Sequence, residues 1–161
     1  MGERMIALRL PTVSFGAASA IVTSMGLIIG FGSAGISKPT IIAGLLIVGL
    51  ADNLTDSLSI HIYQESERLE EHAAFRATIG NFTIRLLISL SFVVLMFSFS
   101  STNTLLASLV WGALLLASLT WFVARNRNAN VLPEILKHLA VAAAVIAVSR
   151  VTGTFISTYI Q

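Results

Sequence analysis

The sequence predicts an all-α integral membrane protein: a bundle of five transmembrane helices in a single domain over residues 1–161. Three observations lead there. Of 161 residues, 55% are hydrophobic and only 11% are charged, where a soluble domain carries about 25% charged residues. Five apolar stretches each reach the roughly 20 residues that a helix needs to cross a bilayer core. The polar connections between them are too short to hold a second domain.

The first span is expected from about Thr12 to Ile36. The basic N-terminus leads into a stretch longer than the apolar core of a secretion signal, and no A-x-A-like site follows, so no cleavable signal peptide is read. Ser19, Thr23, Gly26, Gly30 and Ser33 project along one stripe of this helix, with Gly16 nearby. Gly26, Gly30 and Ala34 form a small-xxx-small series that permits close helix contact, within the chain or as a homodimer seam. The hydroxyls of Ser19 and Thr23 are placed to line a polar path. Met25 is within reach of that face as a thioether ligand.

The second span is expected from Thr40 to Tyr63, after the turn Ser37-Lys38-Pro39, where Pro39 suits a first helical turn. Asp52 and Asp56 interrupt it. A charged side chain near the bilayer centre costs about 2.5–3.5 kcal/mol on an insertion scale, so two cost about 5–7 kcal/mol. These carboxylates must face protein, water, a cation or a basic partner. Asp52, Asn53, Asp56, Ser57, Ser59, Tyr63 and Gln64 share one broad arc, and the two acids lie one turn apart. That spacing suits oxygen coordination of a hard divalent cation, and equally a pair of acids sharing one proton. It also suits a structural network of aspartate, serine and arginine.

The remaining spans are expected at about Asn81–Phe99, Thr104–Ala124 and Leu136–Ile160, separated by the polar turns at 100–103 and 125–130, with Pro133 in the first turn of the last helix. No internal repeat of 20–50 residues is present. Trp121 fits an interface anchor. Arg150 lies within the fifth span, about ten residues from its outer end, close to the depth of Asp52 in the second. Equal depth leads to the expectation of an Asp52–Arg150 pair. With the N-terminus inside, Arg4, Arg9, Arg68, Arg76, Arg85, Arg125, Arg127 and Lys137 fall on or near the inner side, and only Lys38 falls outside. This bias predicts N-terminus inside and C-terminus outside.

The second helix is expected to extend into the cytoplasm toward Thr78, carrying Glu65, Glu67, Glu70 and Glu71. These acids would either form an inner vestibule that concentrates cations or a solvated face paired with Arg68. His61, at the edge of the polar arc, is either a ligand or pH-sensitive group, or a hydrogen-bonded interfacial histidine.

Several function classes drop out. The absence of cysteine excludes disulfides and thiolate ligands. A net charge of +2 with scattered basic residues gives no nucleic-acid surface. No H-E-x-x-H, G-x-S-x-G or paired nucleophile and base points to an enzyme.

Several strings carry a family resemblance. Phe15-Gly16-Ala17-Ala18-Ser19-Ala20-Ile21-Val22-Thr23 resembles the F-G-x-x-D-G-x-V-T first span of the vacuolar iron transporter family. Ile42-Ala43-Gly44-Leu45 resembles its L-A-G-L, Glu67-Arg68-Leu69-Glu70-Glu71 its R-E-L-E-E, and Leu136-Lys137-His138-Leu139 with Gly153 its fifth span. The resemblance implies a five-span fold, a homodimer and a polar path between the first and second helices. The family's first-span acid falls on Ser19, and its second-span methionine and glutamate fall on Thr55 and Ser59. Its long metal-binding helical insert shrinks here to residues 64–78. Asp52, Asn53 and Asp56 supply acids and an amide instead, so iron selectivity is not carried over.

The combined expectation is a membrane transporter of a divalent metal cation, iron(II) or manganese, coupled to protons. The metal is cargo rather than a tightly bound cofactor, and the partners are the lipid bilayer and a second copy of the chain. Oxygen donors without thiolates favour such ions over copper(I). The competing expectation is a non-transporting scaffold or subunit whose intramembrane charges are structural. The compact length points to the cytoplasmic membrane of a prokaryote.

Overall fold

A computed structural model describes the backbone of residues 2–66 and 71–160, and the side chains of 14–63, 65–66, 75–100 and 103–160. It contains five helices: α1 (Gly2–Ser33), α2 (Lys38–Ser66), α3 (Glu71–Ser98), α4 (Ser101–Asn126) and α5 (Val131–Tyr159), with no strand among the described residues. All five are long and apolar enough to cross a membrane.

Their ends follow local rules. Gly35, with φ of +74°, closes α1. The Ile36 amide donates to the Phe31 carbonyl at 3.0 Å and the Gly35 amide to Gly32 at 3.2 Å, the paired bonds of a left-handed helix stop. Asn128, with φ of 53°, closes α4 in the same way, with Ala129 donating to Ala124 and Asn128 to Arg125. At the α1–α2 end of the bundle, Lys38 Nζ donates to the Phe99 carbonyl at 2.7 Å. This satisfies an orphan acceptor beyond the last turn of α3 and places a cation at its negative dipole end.

α1 is the axis of the bundle. It packs against all four other helices; α2 packs also on α3, and α5 also on α4. Half of the apolar window of α1 is buried, against 11% for α5. The sequence prepares α1 for this place with small residues. Gly153 of α5 sits so close to Gly30 that a Cβ there would overlap the Gly30 carbonyl oxygen. Lipid tails are as apolar as leucine, so helices in a bilayer gain by close packing rather than by leaving water. Between α1 and α5 a groove of about 370 Å³ remains, lined by Thr23, Gly26, Gly30, Val148, Ser149 and Thr152 among others.

Two expectations change. Residues 71–78, expected as a continuation of α2 (Lys38–Ser66), form the first turns of α3. The reason is packing: α3 carries a buried stripe from Ala77 through Asn81 and Arg85, and that face docks on α1 and α2. The helices also outrun the apolar stretches from which the spans were read, α3 beginning ten residues ahead of Asn81.

A substitution Gly153→Val should push α5 off α1. Packing disruptions of this kind cost about 1–3 kcal/mol, and thermal unfolding in detergent micelles should report a loss of that order, while Val151→Ala on the exposed face of α5 should leave the transition within about 0.5 kcal/mol.

Candidate functional site

α2 and α3 meet through a charged cluster midway along both. Asp52 and Asp56 stack one turn apart on α2, and Arg85 reaches across from α3. Its guanidinium uses both arms: Nη2 contacts Asp52 Oδ2, and Nη1 lies 2.6 Å from Asp56 Oδ2. A planar fork of donors suits this bridging where a lysine ammonium would not. The arginine side chain is 2% exposed, while those of Asp52 and Asp56 are 40% and 28% exposed. The cation is therefore inside the bundle, and the carboxylates reach its outer flank.

The neighbours hold this arrangement. Asn53, buried beside Asp52, donates through Nδ2 to the Phe82 carbonyl at 2.8 Å, which ties α2 to α3 at the level of the cluster. Ser89 closes on Gly49 one turn further along. Gly16 of α1 provides the cover: a Cβ there would overlap the Asn81 amide oxygen and press on the Arg85 stem. A space of about 10 Å³ touches Asp52 and Arg85 together with Thr23, Ser24 and Ser89, about enough for one water.

The expected Asp52–Arg150 pair does not form. Arg150 is exposed on α5, and α1 stands between α5 and α2, so equal depth brings no contact. Arg85 takes its place. The charge rule assigned Arg85 to the inner surface because the third span was expected to start near Asn81. With α3 beginning at Glu71, Arg85 lies about 21 Å along the helix. One signal in the sequence pointed to it: Asn81, Arg85 and Ser89 recur every four residues, a polar stripe on one helical face.

The other expected site residues scatter. Thr23 borders the small space beside Asp52, and Ser19 is half-buried on α1. Ser59 is exposed, its hydroxyl donating to the Thr55 carbonyl of its own helix. His61 pairs with Glu65 at 3.5 Å along α2. Glu67 and Glu70 lie outside the described residues, as does the Glu71 side chain; the Glu71 backbone begins α3. Among the described residues no three His, Cys, Asp or Glu side chains converge as a metal cage. The cluster offers two carboxylates, an amide and hydroxyls, already engaged by a guanidinium.

No protein-family model, no curated protein and no solved structure matches the chain.

Removing the Arg85 charge should be the most damaging change in the cluster. Arg85→Met leaves two carboxylates in low dielectric, and breaking a buried pair in this way costs about 3–5 kcal/mol. Adding Asp52→Asn and Asp56→Asn to that variant removes the orphaned charges, and denaturation in detergent should show most of the loss recovered.

Proposed function

We propose that the protein is a membrane transporter of a divalent metal cation, iron(II) or manganese, coupled to protons, acting as a homodimer with its N-terminus on the cytoplasmic side of a prokaryotic cytoplasmic membrane. One observation carries the reading: two carboxylates midway along a membrane helix share one guanidinium. With all three groups ionised, one negative charge is left over, on acids that reach the outer flank of the bundle. A low-dielectric medium penalises that charge, and a cation or a proton taken up by the cluster would remove it. A cation that displaces Arg85 from one aspartate, or a proton that neutralises it, switches the α2–α3 contact. Exchange of the two at one site is the elementary step of coupled antiport.

Other features support the reading. Carboxylate oxygens flanked by an amide and hydroxyls, in a chain without cysteine, suit hard or borderline cations. The resemblance of the first and second spans to the vacuolar iron transporter family argues in the same direction. The bundle end where α2 meets α3 carries Arg76, Arg125, Arg127 and Lys137, against Lys38 at the other, and the first of these ends is therefore taken as cytoplasmic. There Arg125 lies over the Trp121 ring at 5.5 Å, as an interface anchor does. The small-residue groove between α1 and α5 is a seam for a second copy.

The competing reading is a scaffold in which the cluster only holds α2 to α3. The depth of Arg85 and its grip on both acids favour it. Flux of iron(II), manganese, cobalt and zinc into proteoliposomes separates the two. Transport predicts flux for at least one ion, abolished in Asp56→Asn protein that still inserts and elutes as the wild type does. A folded protein that moves none of them is the scaffold.

A further inference from the structure

The α1–α2–α3 interface is of two kinds along its length. From Asp52 and Arg85 toward the α1–α2 end, the buried residues beyond Ser24 and Ser89 include Ile28, Ile41, Leu45, Phe92 and Met96, an apolar plug. From the same cluster toward the α2–α3 end, the buried polar residues are Asn53, Ser57, Asn81 and Arg85, with the small residues Gly16, Ala17 and Ala77 between them. Each of these four polar side chains is more than nine-tenths buried.

Much of this polar half is unpaired. Asn53 Oδ1, Ser57 Oγ, both amide atoms of Asn81, Arg85 Nε and His61 Nδ1 make no hydrogen bond within the protein. A buried polar group without a partner costs about 1–3 kcal/mol, and native interiors leave few of them. Their positions are ordered. Asn53, Ser57 and His61 follow one another at single-turn intervals on α2 and span about 12 Å. Asn81 and Arg85 do the same on α3. The antiparallel register, set by Gly49 against Ser89 and by Asn53 against Phe82, carries Ser57 level with residues 78–81.

The mixture of atoms identifies the ligand. A metal site presents acceptors alone. Here the donors Asn81 Nδ2 and Arg85 Nε stand among the acceptors Asn53 Oδ1 and Asn81 Oδ1. The ligand must both donate and accept, and be small enough to repeat along a narrow seam, which describes water. The space beside Asp52, Arg85 and Thr23 is its last position before Leu27, Leu45 and Val48 close the way.

We propose that this half of the interface is a water-filled half-channel running from His61 to the Asp52–Arg85–Asp56 cluster and ending at the apolar plug. It gives the cluster access to water and protons from one side only. Among the described residues, the ionisable groups at its level are Asp52, Asp56, His61 and Glu65 of α2 and Arg76 and Arg85 of α3; α1 contributes none between Ser14 and Ser33.

The chain has no cysteine, so single cysteines report access without background. The probe is Ag⁺, close to water in size and confined to aqueous paths, applied to protein in lipid vesicles. Ser57→Cys and Asn81→Cys should react more than an order of magnitude faster than Leu45→Cys in the plug or Leu58→Cys on the exposed flank of α2. Equal rates overturn the half-channel. Water-edited solid-state NMR of the unaltered protein in lipid reads the same question without substitution. The Asn53 and Asn81 side-chain amides should receive magnetisation from water as early as surface amides do, and failure to do so again overturns it. Neither readout involves transport. Access without metal flux leaves the channel and removes the transporter, and flux without access does the reverse.

Discussion

A guanidinium buried among apolar helices is the constraint on which the rest depends. The guanidinium of Arg85 is a permanent cation, and in low dielectric it cannot remain without an anion. It therefore dictates that α2 present Asp52 and Asp56 to it, that α2 and α3 run side by side at that depth, and that α1 close over its stem. Gly16 exists at that crossing because any side chain would strike Asn81. The same demand explains why α2 tolerates two acids inside an apolar stretch. Their cost is offset by a partner on the neighbouring helix rather than by lipid or bulk water.

The central position of α1 answers a different requirement. Without a hydrophobic force between helices in lipid, one helix can hold four neighbours only if its surface lets their backbones come close. Gly30 against Gly153 does this on the α5 side, and Gly16 against Asn81 on the α3 side. Larger side chains fill the opposite arrangement, with Met25 packed against Gly112 of α4. The bundle is thus tight around α1 and open between α2 and α5.

Charge and burial are divided unevenly along the bundle. The plug of isoleucine, leucine, phenylalanine and methionine occupies one half of the α1–α2–α3 interface, and amides, hydroxyls and the ion cluster occupy the other. A purely structural ion pair requires only the cluster itself. The additional buried amides and hydroxyls below it are a cost to folding unless they are solvated. This is why the polar half, rather than the ion pair alone, carries the argument for access from one side.

The amino-acid sequence by itself determined the five helices, their approximate spans and the two acids of α2, because apolar run length, turn residues such as Pro39 and Asn128, and the energetic cost of Asp52 and Asp56 are local properties. Tertiary structure alone decided the partner of those acids. Depth along the expected spans favoured Arg150 and placed Arg85 near the surface. The choice turned on which helices are neighbours, and α1 between α2 and α5 settles it. Helix length mattered as well, since the start of α3 at Glu71 moves Arg85 from the expected surface to the middle of the bundle. Apolar windows mark where lipid must be met, but a helix continues beyond them for as long as its backbone bonds and its packing face allow. The Asn81–Arg85–Ser89 stripe was visible in the sequence as a periodicity, but its orientation toward α2 emerges only when the helices pack.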